Sequence, residues 1–355
     1  MIHKLYTRRD FIKTSFSASL GIVTGCAFTL IKPVVSIVKI LDDKIDFAVE
    51  KAIDLLGGID TIVKGKNRIM LKPNLVAEGP TFTTKPVVIQ TLAKLMQNAK
   101  KEVIIGEGSA AAGGFNFKDN TQYRTRRQDI LDPMQKYVFD QLGYTELAET
   151  LNIPLINLHS GDLTDVELAN GLAFDKITLH KSLTEIDMLC SVPMMKTHVL
   201  ATVTLGMKNL IGLYPGTVYY SVRSWLHDRA AEKNSPGIAF EIIDMMQANK
   251  MGLTVIDGSM AMEGNGPTEG SLVKMDVIIA GTNPLATDMV AANVMGFHPS
   301  EIPTFTWANK LGMQPDNIND IEIRGEKIEN VKRNFIKPNV VPWTAINKDW
   351  GVKEI

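Results

Sequence analysis

Short apolar segments that are typical of buried strands alternate with amphipathic segments of helical periodicity through most of the chain. Residues 34–40 and 68–71 predict strands, and residues 44–56 predict the helix between them, which ends at Gly57 and Gly58. This alternation is typical of a layered α/β fold in which helices flank a mainly parallel sheet. An arrangement of that fold in two lobes is the alternative.

The rest of the chain continues the pattern. Further strands are predicted at 102–105, 154–158, 188–192, 253–256 and 277–280, and further helices at 86–99, 134–150, 238–249 and 287–295. Thr83 and Thr84 precede Pro86 and predict an N-cap. A polar hairpin is expected near 162–178. We divide the chain into an N-terminal signal or anchor (1–32), an α/β domain (33–335) and a C-terminal tail that wraps the domain (336–355).

Polar residues follow five of the predicted strands directly. They are Lys72 and Asn74, Glu107 and Ser109, Lys196 and His198, Asp257, and Asn283. In an open parallel sheet, ligands bind outside the carboxyl ends of the strands, where loops separate and helix N-termini point into the gap. The agreement of five loops therefore predicts a binding site at this rim.

The stretch VPMMKTHVLATVTLGMKNLIGLYPG (residues 192–216) contains the most informative cations. Lysine at a sheet rim binds phosphate or carboxylate, or acts as a base when burial lowers its pKa. Lys196 and His198 share a face if the chain is extended and oppose each other if it is helical. A histidine beside a lysine stays neutral, which suits a general base or a metal ligand. We predict Lys196, His198 and His227 as catalytic residues.

The same reasoning predicts a set of ligand-binding residues for an anionic small molecule. The set is Lys72, Asn74, Glu107, Ser109, Thr202, Lys208, Asn209, Gly264, Asn265 and Gly266. Its last three members belong to a glycine-rich loop whose backbone N–H groups can hold an anion. The loop has neither the lysine of a P-loop nor the spacing of a dinucleotide fingerprint, so it does not predict nucleotide binding.

Carboxylates and cysteines limit which metals the chain can hold. Asp257, Glu263 and Asp288 are predicted as oxygen ligands for a divalent cation such as Mg²⁺, although Asp288 near a helix start also suits the helix dipole. Cys26 and Cys190 are the only cysteines. An iron-sulfur cluster or a structural zinc site needs four ligands, so the chain's own cysteines encode neither.

The N-terminus predicts export across the cytoplasmic membrane by the twin-arginine (Tat) machinery. Arg8 and Arg9 precede a mildly apolar run without acidic residues. Cys26 ends a lipobox-like sequence and is a candidate lipidation site, and residues 14–31 are about long enough to remain as an uncleaved anchor. Simple cleavage is the third alternative. We expect a periplasmic or other extracytoplasmic protein that is tethered to the membrane through its N-terminus. The net charge of -1 argues against a nucleic-acid partner.

A family resemblance spans roughly residues 34–335. The matching residues, in order, are Lys72-Pro73-Asn74-Leu75, Gly106-Glu107-Gly108, Lys196-Thr197-His198, Lys208-Asn209, Asp257-Gly258, Glu263-Gly264-Asn265-Gly266-Pro267 and Asp288. Together they resemble the uncharacterised DUF362 family. The resemblance implies architecture, since the family has no established general reaction. Many members carry a ferredoxin-like cysteine cluster, and this chain departs from them because it lacks one.

Three functions are consistent with these features. The first is an exported enzyme that acts on an anionic small molecule with lysine and histidine as acid-base groups. The second is a membrane-tethered protein that binds an anionic ligand or cofactor without turnover. The third, which rests on analogy with the family, is a redox accessory subunit that uses a partner's cluster.

Overall fold

A mostly parallel sheet forms the centre of the computed structural model, which describes residues 32–119, 121–345 and 355. The strands are β1 (Val34–Lys39), β2 (Arg68–Pro73), β3 (Glu102–Glu107), β4 (Phe117–Lys118), β5 (Thr121–Gln122), β6 (Leu155–Asn157), β7 (Leu163–Glu167), β8 (Lys176–His180), β9 (Met188–Val192), β10 (Met194–His198), β11 (Thr202–Thr204), β12 (Met251–Glu263), β13 (Ser271–Val273), β14 (Val277–Gly281) and β15 (Glu322–Gly325). The α-helices are α1 (Ile45–Leu55), α2 (Ile59–Ile62), α3 (Pro86–Asn98), α4 (Gln128–Gln141), α5 (Tyr144–Leu151), α6 (Ser182–Glu185), α7 (Gly216–Tyr219), α8 (Ser224–Glu232), α9 (Ala239–Gln247), α10 (Pro284–Val294), α11 (Pro303–Lys310) and α12 (Ile328–Val331).

The main path of the sheet has the order β15-β1-β14-β12-β9-β2-β3-β6. Neighbouring strands from β12 to β6 are parallel, whereas β14 is antiparallel to both β12 and β1. Two hairpins, β4–β5 and β7–β8, lie outside this sheet. The predicted class, a mainly parallel sheet flanked by helices, is confirmed.

Side chains of successive strand residues enter two separate hydrophobic cores. Ile69 and Leu71 of β2 pack into the core that contains α1 and α3, whereas Met70 between them packs into the core that contains α9 and α10. Because strand side chains alternate between the two faces, this division shows that helices cover both faces of the sheet. Buried strands of this kind present their polar residues mainly at their ends.

Three local predictions were wrong. The predicted helix 134–150 consists of two helices, α4 and α5, which are separated at Gly143 with a φ of 74°. Lys85 rather than a threonine precedes α3, and the Thr84 hydroxyl instead donates to the Val192 carbonyl at 2.6 Å. Strand β12 extends well beyond the predicted 253–256, so Asp257 lies within the strand.

The antiparallel direction of β14 removes one residue from the predicted rim. Asn283 follows β14 and therefore lies at the opposite edge of the sheet from the ends of β2 and β3. Its side chain accepts a hydrogen bond from the Ala286 amide at 2.9 Å and caps α10. Across the described part of the chain, no helix combines the length and the apolar character that a membrane span requires.

Candidate functional site

A cavity of about 900 Å³ lies beyond the carboxyl ends of β2 and β3. It contains most of the residues that the sequence suggested for binding or catalysis, namely Lys72, Asn74, Glu107, His198, Lys208, Asn209, His227, Asn265 and Gly266. A volume of this size is typical of small-molecule sites. The parallel strands thus bring residues from distant parts of the sequence into one cavity.

A buried ion pair forms the floor of the cavity. The Lys72 ammonium lies 2.8 Å and 2.9 Å from the two carboxylate oxygens of Glu107, and both side chains are almost fully buried. The same carboxylate accepts the backbone N–H groups of Leu75 and Gly108. Burial lowers the pKa of Lys72, and Glu107 opposes this shift. Glu107 therefore neutralises Lys72 and holds the loops after β2 and β3 together.

Gly212 allows this pair to form against the neighbouring loop. A Cβ atom at Gly212 would lie 2.4 Å from a Glu107 carboxylate oxygen and 2.7 Å from the Lys72 ammonium. Both distances are far shorter than van der Waals contact, so any larger residue would displace the pair.

Two asparagines extend the hydrogen-bond network around the pair. The Asn209 side-chain oxygen accepts from Lys72 and from the Asn74 amide, each at 3.1 Å. Its amide donates to the Lys72 carbonyl and to the Ser191 hydroxyl. The Asn74 side-chain oxygen is buried and has no hydrogen-bond partner within the described residues.

Among the cations that line the cavity, Lys208 is the one without a hydrogen bond or ion pair to the described residues. It begins the short 3₁₀-helix Lys208–Leu213, lines the cavity, and forms no hydrogen bond or ion pair with any described residue. Burial, followed by the charges of Lys72 and Arg223, lowers its pKa to about 7. An unpaired lysine with this pKa binds an anion in its charged form and accepts a proton in its neutral form.

Lys196 and His198 lie on the same face because residues 194–198 are extended in β10. His198 lines the cavity, and its Nδ1 accepts the Leu200 amide at 3.0 Å. Burial, then the charges of Lys208 and Lys196, lowers the pKa of His198 well below its usual value. The neutral ring therefore carries its proton on Nε2. In this tautomer His198 offers the cavity a hydrogen-bond donor.

Lys196 is buried behind the wall of the cavity. Its ammonium donates to the Phe82 carbonyl at 2.6 Å, and Phe82 in turn lines the cavity. Burial and the charges of Lys208 and Lys72 lower the pKa of Lys196, whereas Glu107 raises it. Lys196 thus affects the site through its charge and has no direct access to the cavity.

His227, on α8, differs from His198 in which ring nitrogen carries the proton. Its Nδ1 lies 2.9 Å from a carboxylate oxygen of Glu241, which is fully buried on α9 and also accepts from the Ser235 hydroxyl at 3.1 Å. Since an ionised carboxylate only accepts, Nδ1 carries the proton and Nε2 is the acceptor. The ring lines the cavity beside Trp343, at 4.8 Å between centroids.

Arg223 is a cavity residue that the sequence did not indicate. Its buried guanidinium donates to the carbonyls of Gly108, Ser109 and Gly212. It therefore connects the loop after β3 to the 3₁₀-helix Lys208–Leu213. Val222 and Arg223 both have left-handed backbone conformations, with φ values of 58° and 59°. Strain of this kind in residues other than glycine often marks functional sites.

Three predicted ligand-binding residues do not line the cavity. Ser109 donates its amide to the Gln135 side chain, and its carbonyl accepts from Arg223. Thr202 pairs with His198 in the β10–β11 hairpin. The Gly264 carbonyl accepts the Thr197 hydroxyl at 2.7 Å. These residues support the cavity wall from behind.

The structure does not bring together the three carboxylates that were predicted as metal ligands. Asp257 accepts from the Lys85 amide and the Ser259 hydroxyl, Glu263 accepts from the Ile336 amide, and Asp288 accepts from the amides of Gly206 and Met207. Each carboxylate therefore caps a different piece of backbone. Within residues 32–119 and 121–345, no three His, Cys, Asp or Glu side chains are grouped as a metal site. Arg8, Arg9 and Cys26 lie outside the described residues.

Comparisons with known proteins identify relatives of the chain. It is 28% identical over 264 residues, 73% of either chain, to the thylakoid-associated protein sll1697 of Synechocystis sp.. The lactate racemase apoprotein from Thermoanaerobacterium thermosaccharolyticum is similar over 77% of this chain and 60% of its own, with 14% identity and a TM-score of 0.44. A Thermotoga maritima protein gives 14% identity and a TM-score of 0.39 over 76% of this chain and 59% of its own.

The chain thus spans about three-fifths of the length of the two solved structures. A model of the domain of unknown function DUF362 matches residues 69–293, which include β2, β3, β10 and the helices that carry His227 and Glu241. The chain therefore belongs to the DUF362 family.

Proposed function

We propose that the protein is an enzyme that moves a proton on an anionic small molecule bound in this cavity. The observation that carries the proposal is that two histidines with opposite hydrogen-bonding character line the cavity together with the unpaired Lys208. A binding site needs the cation but has no need of such a pair.

The charge balance of the cavity supports an anionic ligand. Glu107 already neutralises Lys72, and no carboxylate among the described residues forms an ion pair with Lys208 or the buried Arg223. The other two carboxylates of the lining, Glu78 and Glu269, are less buried than Glu107. Arg223 uses its terminal nitrogens on backbone carbonyls and contributes its charge. Lys208 is the residue that we expect to contact the ligand, because its ammonium has no other partner among the described residues.

The two histidines supply complementary chemistry. The Nε2 atom of His227 accepts a proton, and Glu241 orients the ring and stabilises the imidazolium that forms. The Nε2–H of His198 donates to an oxygen on which negative charge develops. Abstraction of a proton beside a carboxylate fits these roles. The C–H electron pair then moves towards the carboxylate oxygen that His198 contacts, and the proton moves to His227.

Export and membrane attachment belong to the same proposal. The twin-arginine pattern at Arg8 and Arg9 supports transport of the folded protein by the Tat machinery. A relative named as thylakoid-associated supports attachment to a membrane. Lipidation at Cys26 and an uncleaved anchor are the two attachments that we consider.

Hydrogen exchange from solvent tests the proposed chemistry. The purified protein is incubated in D₂O with a panel of carboxylates that carry an acidic C–H bond, and loss of the proton signal is followed by NMR. We expect exchange of at least one compound, and His227→Asn should slow it by a factor of about 10²–10⁴. His298→Asn is the matched control, because His298 is an exposed histidine that caps a short helix and asparagine retains that cap.

Three outcomes would redirect the interpretation. Binding of the anions without exchange in any compound would favour the alternative of a ligand-binding protein without turnover. Equal exchange rates in His227→Asn and in the unsubstituted protein would show that His227 is not the base. Iron that co-purifies under anaerobic conditions would instead support the redox accessory subunit.

A further inference from the structure

The size of the cavity exceeds what a small polar anion requires. Its volume of about 900 Å³ equals that of roughly thirty water molecules in the liquid. A carboxylate or phosphate group held at Lys208 would fill only a small part of this space. A ligand that displaces the remaining water must have a body as well as a charged group.

The cavity combines a buried ion pair with a largely aliphatic wall. Lys72 and Glu107 are almost fully buried at its floor, whereas the lining carboxylates of Glu78 and Glu269 are part-buried and exposed, respectively. Much of the remaining wall consists of aliphatic side chains, among them Val76, Val199, Leu200, Ile211, Val222 and Val341. A ligand that contacts both parts has a charged end and an apolar body.

The opening of the cavity carries an exposed aromatic side chain. Phe117, on the β4–β5 hairpin, lines the cavity and is 43% exposed. The opposite strand of this hairpin contributes Thr121 and Gln122 to the lining. Phe117 thus continues the apolar part of the lining to a position next to solvent.

We propose that the substrate of this site is an amphiphilic anion, with a carboxylate or phosphate group at Lys208 and an apolar body that extends along the aliphatic wall to Phe117. This inference rests on the proposed function, because it extends the same anion site to a substrate class. The depth of the charged floor places the head group inside the cavity, and the exposed hairpin places the end of the apolar body near solvent.

A series of linear carboxylates from butanoate to decanoate tests the inference by calorimetric titration of the full chain. Burial of each methylene contributes about 0.8 kcal/mol, so affinity should rise about fourfold per methylene until the body reaches the opening. Decan-1-ol is the matched neutral probe and should bind more weakly than decanoate. Octyl phosphate against octanoate determines which head group Lys208 prefers.

Substitutions in the apolar wall separate the two parts of the site. Phe117→Ser and Val341→Thr should reduce the gain in affinity per methylene and weaken decanoate binding more than butanoate binding. Leu272→Ser is the control, since Leu272 is 47% exposed on β13 and does not line the cavity. An effect of Leu272→Ser equal to that of Phe117→Ser would overturn the assignment of the wall.

The remaining outcomes distinguish this inference from the function on which it rests. Equal affinity for butanoate and decanoate would overturn the amphiphilic substrate and leave the anion site intact. Decan-1-ol that binds as tightly as decanoate would show an apolar cavity without anion recognition, which also overturns the inference. If no member of either series binds, both proposals fail.

Discussion

Removal of the Lys208 ammonium should stabilise the protein and, under the proposed function, abolish anion binding. Lys208→Met keeps most of the aliphatic side chain and deletes a charge that is partly buried beside Lys72 and Arg223. Because the ammonium has no partner within the described residues, its removal leaves no other group unsatisfied. The substitution therefore measures how much free energy of unfolding the protein loses by holding an unpaired cation in the cavity.

The pKa of Lys208 sets the magnitude and the pH range of this effect. Its pKa falls from 10.5 to about 7, and one pKa unit corresponds to about 1.4 kcal/mol. Below pH 7 the lysine is protonated in the folded and the unfolded chain, and the folded state bears the whole cost, at most about 5 kcal/mol. Between pH 7 and 10.5 the folded protein loses the proton first, so the cost shrinks, and it vanishes above that range.

Urea unfolding at pH 6 and pH 9.5 measures this difference. Water in the cavity screens the charge, so we expect Lys208→Met to raise the free energy of unfolding by about 2 kcal/mol at pH 6 and by less at pH 9.5. Lys94→Met is the control, because Lys94 is exposed on α3, and it should change little at either pH. A gain from Lys208→Met that is equal at both pH values, or a loss at pH 6, would refute the reasoning.

Two further substitutions test the buried carboxylates. Glu107→Gln leaves the Lys72 ammonium buried without a counter-charge, so we expect urea unfolding to show a free energy of unfolding that is lower by about 3–5 kcal/mol. A decrease below about 1 kcal/mol would mean that water or an ion replaces the carboxylate. Burial raises the pKa of Asp288 to about 7, so its ionisation costs the folded state increasingly as pH rises from about 4 to 7. The free energy of unfolding of Asp288→Asn, relative to that of the unsubstituted protein, should therefore be lower at pH 5 than at pH 8. Differences in urea unfolding that are equal at the two pH values would contradict this pKa.

The sequence predicted the position of the site well wherever a strand is parallel. Lys72 and Glu107 meet because β2 and β3 run side by side in the same direction, as the alternation of strands and helices predicts. Asn283 was misplaced because strand direction is not encoded in local periodicity, and β14 is reversed. The end of β12 was misjudged because Gly258 and Ser259 interrupt the apolar pattern without interrupting the strand.

The chemistry of the site was harder to predict than its position. The sequence predicted His198 as a general base or a metal ligand. The Leu200 amide determines which nitrogen carries its proton, and that contact depends on the turn after β10. Glu241 lies in the predicted helix 238–249, whereas Arg223 comes from a segment with no recognisable pattern. One signal was available for Glu241, since a carboxylate inside an apolar helix needs a partner. Arg223 gives no such signal.

The segment that closes one wall of the cavity comes from the last part of the described chain. The Val341 amide donates to the Val199 carbonyl at 2.9 Å, and the Trp343 ring packs against His227. Both partners are synthesised long before this segment. During synthesis, therefore, the sheet and the histidines can be in place while the cavity is still open on one side, and premature termination before residue 336 would yield a folded sheet with an incomplete site.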